Sequence, residues 1–163
     1  MVKERIIDWV MEQKGYKARN NQNMLPENLL YYRDGVSDGQ FQDVKDKELP
    51  QIRKAFWAAV KELKAREFIS NEESPVVPKL TAIICIKRHS VRFYPAQRKD
   101  ADHTGNCKPG TLVDNVVTSP YYMDFYLQSH AALQGTAKPA HYFVIENEMG
   151  TSEPDIRQLV SVL

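Results

Sequence analysis

The sequence predicts an α/β fold with a mixed sheet, and three observations carry that expectation. Segments with apolar residues at helical spacing alternate with short, β-rich apolar runs, in the order helix, strand, helix, strand, further strands, helix. One run, Leu80-Thr81-Ala82-Ile83-Ile84-Cys85-Ile86, is almost unbroken, as strands covered on both faces are. The chain has 163 residues, enough for one domain of ordinary size and not for two comfortable ones.

Each element has its own local reason. Residues 2–14 place Val2, Ile6, Trp9 and Val10 at helical spacing, with Gly15 as a stop and no N-cap before residue 2. Residues 16–28 are polar and Asn-rich, which predicts a loop or an insertion. Leu29-Leu30-Tyr31-Tyr32 then reads as a buried strand with a charged tip, Arg33-Asp34-Gly35. Ser37 is a candidate cap for a helix over 38–66, with Asp38 at its positive end and Gln40 as capping-box partner. Pro50 predicts a kink or break near Leu49. A loop over 70–78 leads into the strand at 80–86, which ends in Lys87-Arg88-His89. A Pro/Gly/Asp loop at 95–110 precedes three candidate strands, 111–117, 123–128 and 141–146. Pro154 opens a last helix with Ile156, Leu159, Val160 and Leu163 on one face. That helix runs off the end of the chain, and the first starts uncapped, so both ends are expected to be truncated.

Composition narrows the function classes. Apolar residues make up 42% and charged residues 26%, which excludes fibrous, collagen-like and wholly disordered chains. The net charge of +1 gives no global field for a polyanion, so any nucleic-acid surface has to be a local patch. No apolar run approaches the length of a membrane span, and residues 1–5 do not read as a signal peptide. Cys85 and Cys107 lack C-x-x-C spacing, and the expectation is a reduced, intracellular protein.

Two features could carry chemistry. Asp34 sits at the carboxyl end of a strand, where open α/β sheets bind ligands, and a carboxylate there suits divalent-metal and phosphate chemistry. Asp-Gly is also a common turn dipeptide, and the residues alone leave both readings open. The stretch 87–108 carries +4 and the remainder −3, so basic charge gathers just past one strand end. That concentration suits phosphates, and it equally suits a solvated basic loop. His130 and His141 frame a stretch of small residues with Gly135, which permits close backbone approach to a ligand. No His/Cys pair has zinc spacing, Cys85 lies inside an apolar strand, and neither G-x-S-x-G nor a phosphate-binding P-loop occurs.

Four long blocks are more specific than any of these. YYRDGVSDGQFQDVKDKELPQIRKAF (31–56), IKRHSVRFYP (86–95), GNCKPGTLVD (105–114) and DFYLQSHAALQGTAKPAHYFVIENE (124–148) resemble the PIWI domain of Argonaute proteins, most closely fungal members. The resemblance implies an RNase H-like fold, a guide RNA bound along the domain, and target cleavage with Mg²⁺ or Mn²⁺. It makes residues 1–163 part of a PIWI domain, with the first catalytic Asp and Glu upstream of Met1 and the final His or Asp beyond Leu163. Asp34, in YRDG, matches the second Asp, a metal ligand. Neither Glu4 nor His141 occupies a matching catalytic position.

Lys87, Arg88 and Arg92 match the family's KRH-x-x-R block, His130 its SHA histidine, and Lys138 a position where arginine is common. In the family such residues hold guide phosphates, which give register without sequence preference. Ser90 replaces a usual second histidine, and Lys138 lacks the bidentate reach of arginine, so altered guide contacts are expected. The implied partners are a small guide RNA, its target RNA, the N, PAZ and MID domains of Argonaute and GW-type proteins, with no membrane. The implied place is the cytoplasm, with the nucleus also open. With one carboxylate of four, the chain alone is expected not to cleave RNA. The rival expectation is a non-catalytic RNA- or protein-binding fragment from a truncated Argonaute-like gene.

Overall fold

A computed structural model describes residues 1–17, 24–70 and 74–161. Parts of the two loops expected at 16–28 and 70–78, and Leu163 of the last helical face, lie outside the described residues. The chain forms two compact units, Met1–Leu29 with Gln40–Leu80, and Leu30–Gly39 with Thr81–Leu163.

In the first unit, α1 (Val2–Lys17) packs on α3 (Leu49–Ala65). Ile6, Ile7 and Val10 from α1 meet Phe56, Ala59, Val60 and Leu63, an i, i+3, i+4, i+7 face of α3, around the fully buried Phe56. Lys3 and Glu62 close the pair with a 2.9 Å ion pair. The first helix continues through Gly15 to Lys17, so that glycine does not end it.

The helix expected over 38–66 is not uniform. A 3-10 turn (Asp38–Gln40) and a single turn α2 (Phe41–Asp43) lead into a π segment (Val44–Glu48), and regular helix begins at Leu49. Pro50 supplies the reason: it has no N–H, and its ring crowds the carbonyl four residues back. The backbone answers by widening, so that the Leu49 N–H bonds the carbonyl of Val44, five residues earlier. The far end closes when Glu67 turns left-handed (φ 58) and the Phe68 N–H bonds the Leu63 carbonyl at 2.9 Å.

The second unit is built on a five-stranded sheet in the order β1-β2-β5-β4-β3. The strands are β1 (Asn28–Asp34), β2 (Lys79–Ile86), β3 (Thr111–Val113), β4 (Met123–Gln128) and β5 (Ala140–Asn147). The β2–β5, β4–β5 and β3–β4 pairings are antiparallel. As its unbroken apolar run predicts, β2 is buried from Leu80 to Cys85. By contrast β1 is half-buried along Leu29–Arg33 because it lies at the sheet edge, which corrects the expectation of a buried strand. The strand expected over 111–117 stops at Val113, where Asp114-Asn115 turns the chain and Val116 takes a positive φ of 65°. A last helix, α4 (Glu153–Ser161), seats Ile156 and Val160 against Ile83, Phe125, Leu127 and Val144. Among the described residues no helix is long and apolar enough to cross a membrane.

Candidate nucleic-acid interface

Alternation along β1 positions the first candidate residue. Leu30 and Tyr32 pack against the core of the second unit, and Asp34, next on the same face, emerges at the strand's carboxyl end. Gly35 follows with φ +78°, a conformation that releases the chain into its turn without a Cβ penalty. Since β2 lies beside β1, Lys87, just past the end of β2, reaches across, and its ammonium donates to the Asp34 carboxylate at 2.7 Å. Both side chains are more than half exposed, 64% for Lys87 and 57% for Asp34, so water weakens the pair. Lys87's hydrogen bond holds the Asp34 carboxyl below its ordinary value, and the carboxylate raises Lys87.

The loop between β4 and β5 brings two further polar side chains. His130 stands at its start and Lys138 near its end, both exposed. Asp34, Lys87, His130 and Lys138 line one cleft of about 770 Å³, together with Tyr32, Cys85, Ser129, Pro139, Ala140, Tyr142, Val160 and Ser161. The floor is largely apolar and the rim is cationic apart from Asp34. Burial pushes the Tyr32 phenol up to about 12, and its hydroxyl has no hydrogen-bond partner among the described residues; burial also raises the Cys85 thiol and the Tyr142 phenol. Burial thus favours the protonated form of Cys85 at the cleft wall.

Two ammonium groups and an imidazole at one rim can bind phosphate oxygens, while the aromatic floor offers an apolar surface to the rest of a nucleotide. Arg88 and Arg92 are placed elsewhere. Arg88 is exposed outside the cleft lining. Arg92 is half-buried and donates to the carbonyls of His89 (3.0 Å) and Val91 (2.6 Å), which holds its own loop together. His141 is bonded at 2.6 Å to the buried Asp124 and stacked on Tyr126 with centroids 3.8 Å apart.

A divalent ion does not fit the described residues. Among them no group of three or more His, Cys, Asp or Glu side chains converges, and the Asp34 carboxylate already meets an ammonium. Sequence reading missed Tyr32, Cys85 and Tyr142 as cleft residues. Tyr32 was within reach, because it lies two residues before Asp34 on the same strand face.

Residues 4–163 match the Piwi domain family. The chain is 38% identical over 148 residues to Protein argonaute 5 of Arabidopsis thaliana, which covers 89% of this chain and 14% of that protein. It is also 38% identical over 137 residues to Protein argonaute of Schizosaccharomyces pombe, covering 83% of this chain and 14% of that one. The chain thus spans about one-seventh of the length of these relatives. The C-terminal lobe of a budding yeast Argonaute superposes over 91% of this chain and 29% of its own, with a TM-score of 0.73 at 33% identity. Kluyveromyces polysporus Argonaute with a guide RNA does so over 92% of this chain and 18% of its own, with the same TM-score and identity.

Proposed function

This chain belongs to the Piwi domain family and has its RNase H-like α/β fold, and we propose that it forms part of the guide-RNA groove of a longer Argonaute protein. One observation carries the reading: Lys87, just past β2, and His130 and Lys138, on the loop between β4 and β5, line a single cleft. Their contacts go to the sugar-phosphate backbone of a small guide RNA, and base pairing with the target RNA supplies specificity. In this reading the N, PAZ and MID domains complete the groove, GW-type proteins dock on the assembled protein, and Mg²⁺- or Mn²⁺-dependent target cleavage belongs to the longer protein.

Titration of the full chain with a short, fluorescently labelled single-stranded RNA at several salt concentrations tests the proposal. Log affinity is expected to fall linearly with log salt, by about 0.7 per neutralised phosphate. Lys138→Ala is expected to weaken binding and to flatten that slope by roughly 0.7. Lys87→Ala has the larger effect, because it also leaves the Asp34 carboxylate unpaired beside the phosphates. Binding that ignores both salt and these substitutions would sink the proposal. That outcome would favour a protein-docking reading, which draws on the exposed Leu112, Val116, Val117, Tyr121 and Tyr122.

A further inference from the structure

The loop that carries His130 and Lys138 is held by side chains to which the sequence reading assigned no such role. Gln128, buried at the end of β4, donates its amide to the His130 carbonyl at 2.5 Å. His89 bonds the Pro139 carbonyl at 2.9 Å through Nε2, which must be the protonated nitrogen because a carbonyl only accepts. Between these two points the loop depends on Asn106.

Asn106 belongs to another loop, 95–110, and is 5% exposed. Its Nδ2 donates to the Gly135 carbonyl and its Oδ1 accepts from the Ala137 N–H, both at 2.9 Å. One planar amide thus satisfies a donor and an acceptor two residues apart, as a neighbouring strand would. Asn106 is itself fixed: its N–H donates to Asp102 Oδ1 at 2.9 Å, and its Nδ2 also donates to Thr104 Oγ1 at 2.9 Å. The Ala101–Cys107 bridge closes the base of this loop. The consequence falls on Lys138. Ala137 and Pro139 on either side are buried, and Lys138 between them is exposed, so anchoring its neighbours turns its ammonium toward the cleft.

We propose that Asn106 is a positioning residue for RNA binding, acting through the 129–139 loop on His130 and Lys138. This inference rests on the RNA reading of the cleft. Without the Asn106 amide, Gly135 O and Ala137 N–H lose their partner, and the loop samples conformations in which Lys138 leaves the rim. Only a side chain with both a donor and an acceptor at this reach serves; a carboxylate would face the Gly135 carbonyl oxygen with another oxygen.

The test is a double-mutant cycle on the full chain with the same labelled single-stranded RNA, read as Kd and as salt slope, with thermal melting alongside. Asn106→Ala is expected to weaken binding about three- to tenfold and to flatten the salt slope, the scale of losing about one hydrogen-bonded phosphate contact. In the His130→Ala/Lys138→Ala background, adding Asn106→Ala is expected to change Kd by less than about twofold. A role confined to stability would lower the melting temperature and leave the slope of the folded fraction alone. An unchanged Kd in the single variant, or an equal loss in both backgrounds, overturns the proposal. If Asn106→Ala does not fold, Asn106→Asp, which keeps the volume and the acceptor for Ala137, is read through the same cycle; coupling supports the proposal and additivity overturns it. Wild-type binding that is indifferent to His130→Ala/Lys138→Ala overturns the RNA reading itself and the inference with it. Loss at those two residues without coupling to Asn106 overturns the inference alone.

Discussion

Asp124 and His141 meet diagonally across the β4–β5 pair, where His141 lies opposite Tyr126 and its Nε2 stands 2.6 Å from the Asp124 carboxylate, and that contact is sensitive to pH. Burial lowers the imidazole below its ordinary 6.5, opposed by the hydrogen bond to Asp124 and by the charges of Asp124 and Asp38, with His89 adding to the lowering. A histidine held neutral in the fold takes up a proton more readily when unfolded. Stability from this group is therefore complete above about pH 6.5 and lost as the pH falls below it. Melting temperature is expected to drop between about pH 7 and pH 5, and His141→Gln should shrink that drop; equal profiles for the two chains would refute the assignment. Val116 poses a different residue-scale problem, a β-branched side chain at φ 65° that is 97% exposed. Asparagine tolerates that conformation, so Val116→Asn should stabilise the chain by about 1 kcal/mol in urea unfolding.

Among the elements, α3 shows how local sequence and packing divide the work. Pro50 sets where regular helix begins, and the spacing of Phe56, Ala59, Val60 and Leu63 sets which face turns inward. Phe56 is fully buried, so Phe56→Ala removes a large side chain and leaves a cavity among Ile6, Val10 and Leu63. The expected loss is about 3–5 kcal/mol in denaturant unfolding. A loss under about 1 kcal/mol would mean that the site collapses around the missing ring or that the helix pair is not the core of its unit. At the other extreme β3 is a three-residue edge strand, and its brevity follows from Asp114-Asn115, residues that compete with the ladder for backbone hydrogen bonds.

For the molecule as a whole, the count of metal-ligating groups decides what the chain does unaided. Two divalent ions need several oxygen ligands each, and among the described residues Asp34 pairs with an ammonium and no three His, Cys, Asp or Glu side chains converge. The full chain is expected to give no Mg²⁺-dependent cleavage of a guide–target RNA duplex. Cleavage that Asp34→Ala abolishes would contradict this and would mean that residues outside those described complete the site.

Much of this was readable from the chain itself. The four motif blocks carried the family, periodicity placed the helices and the buried strand β2, and Pro50 announced the break before α3, because each of these depends on residues near one another in sequence. The edge position of β1, the placing of Arg92 against its own loop carbonyls, and the meeting of Asp34 with Lys87 were decided only in three dimensions. So was the clamp of Asn106 on a loop some thirty residues away. Strand order and loop-to-loop hydrogen bonds join residues far apart in the chain, and no local pattern of side chains encodes which distant backbone groups they will meet.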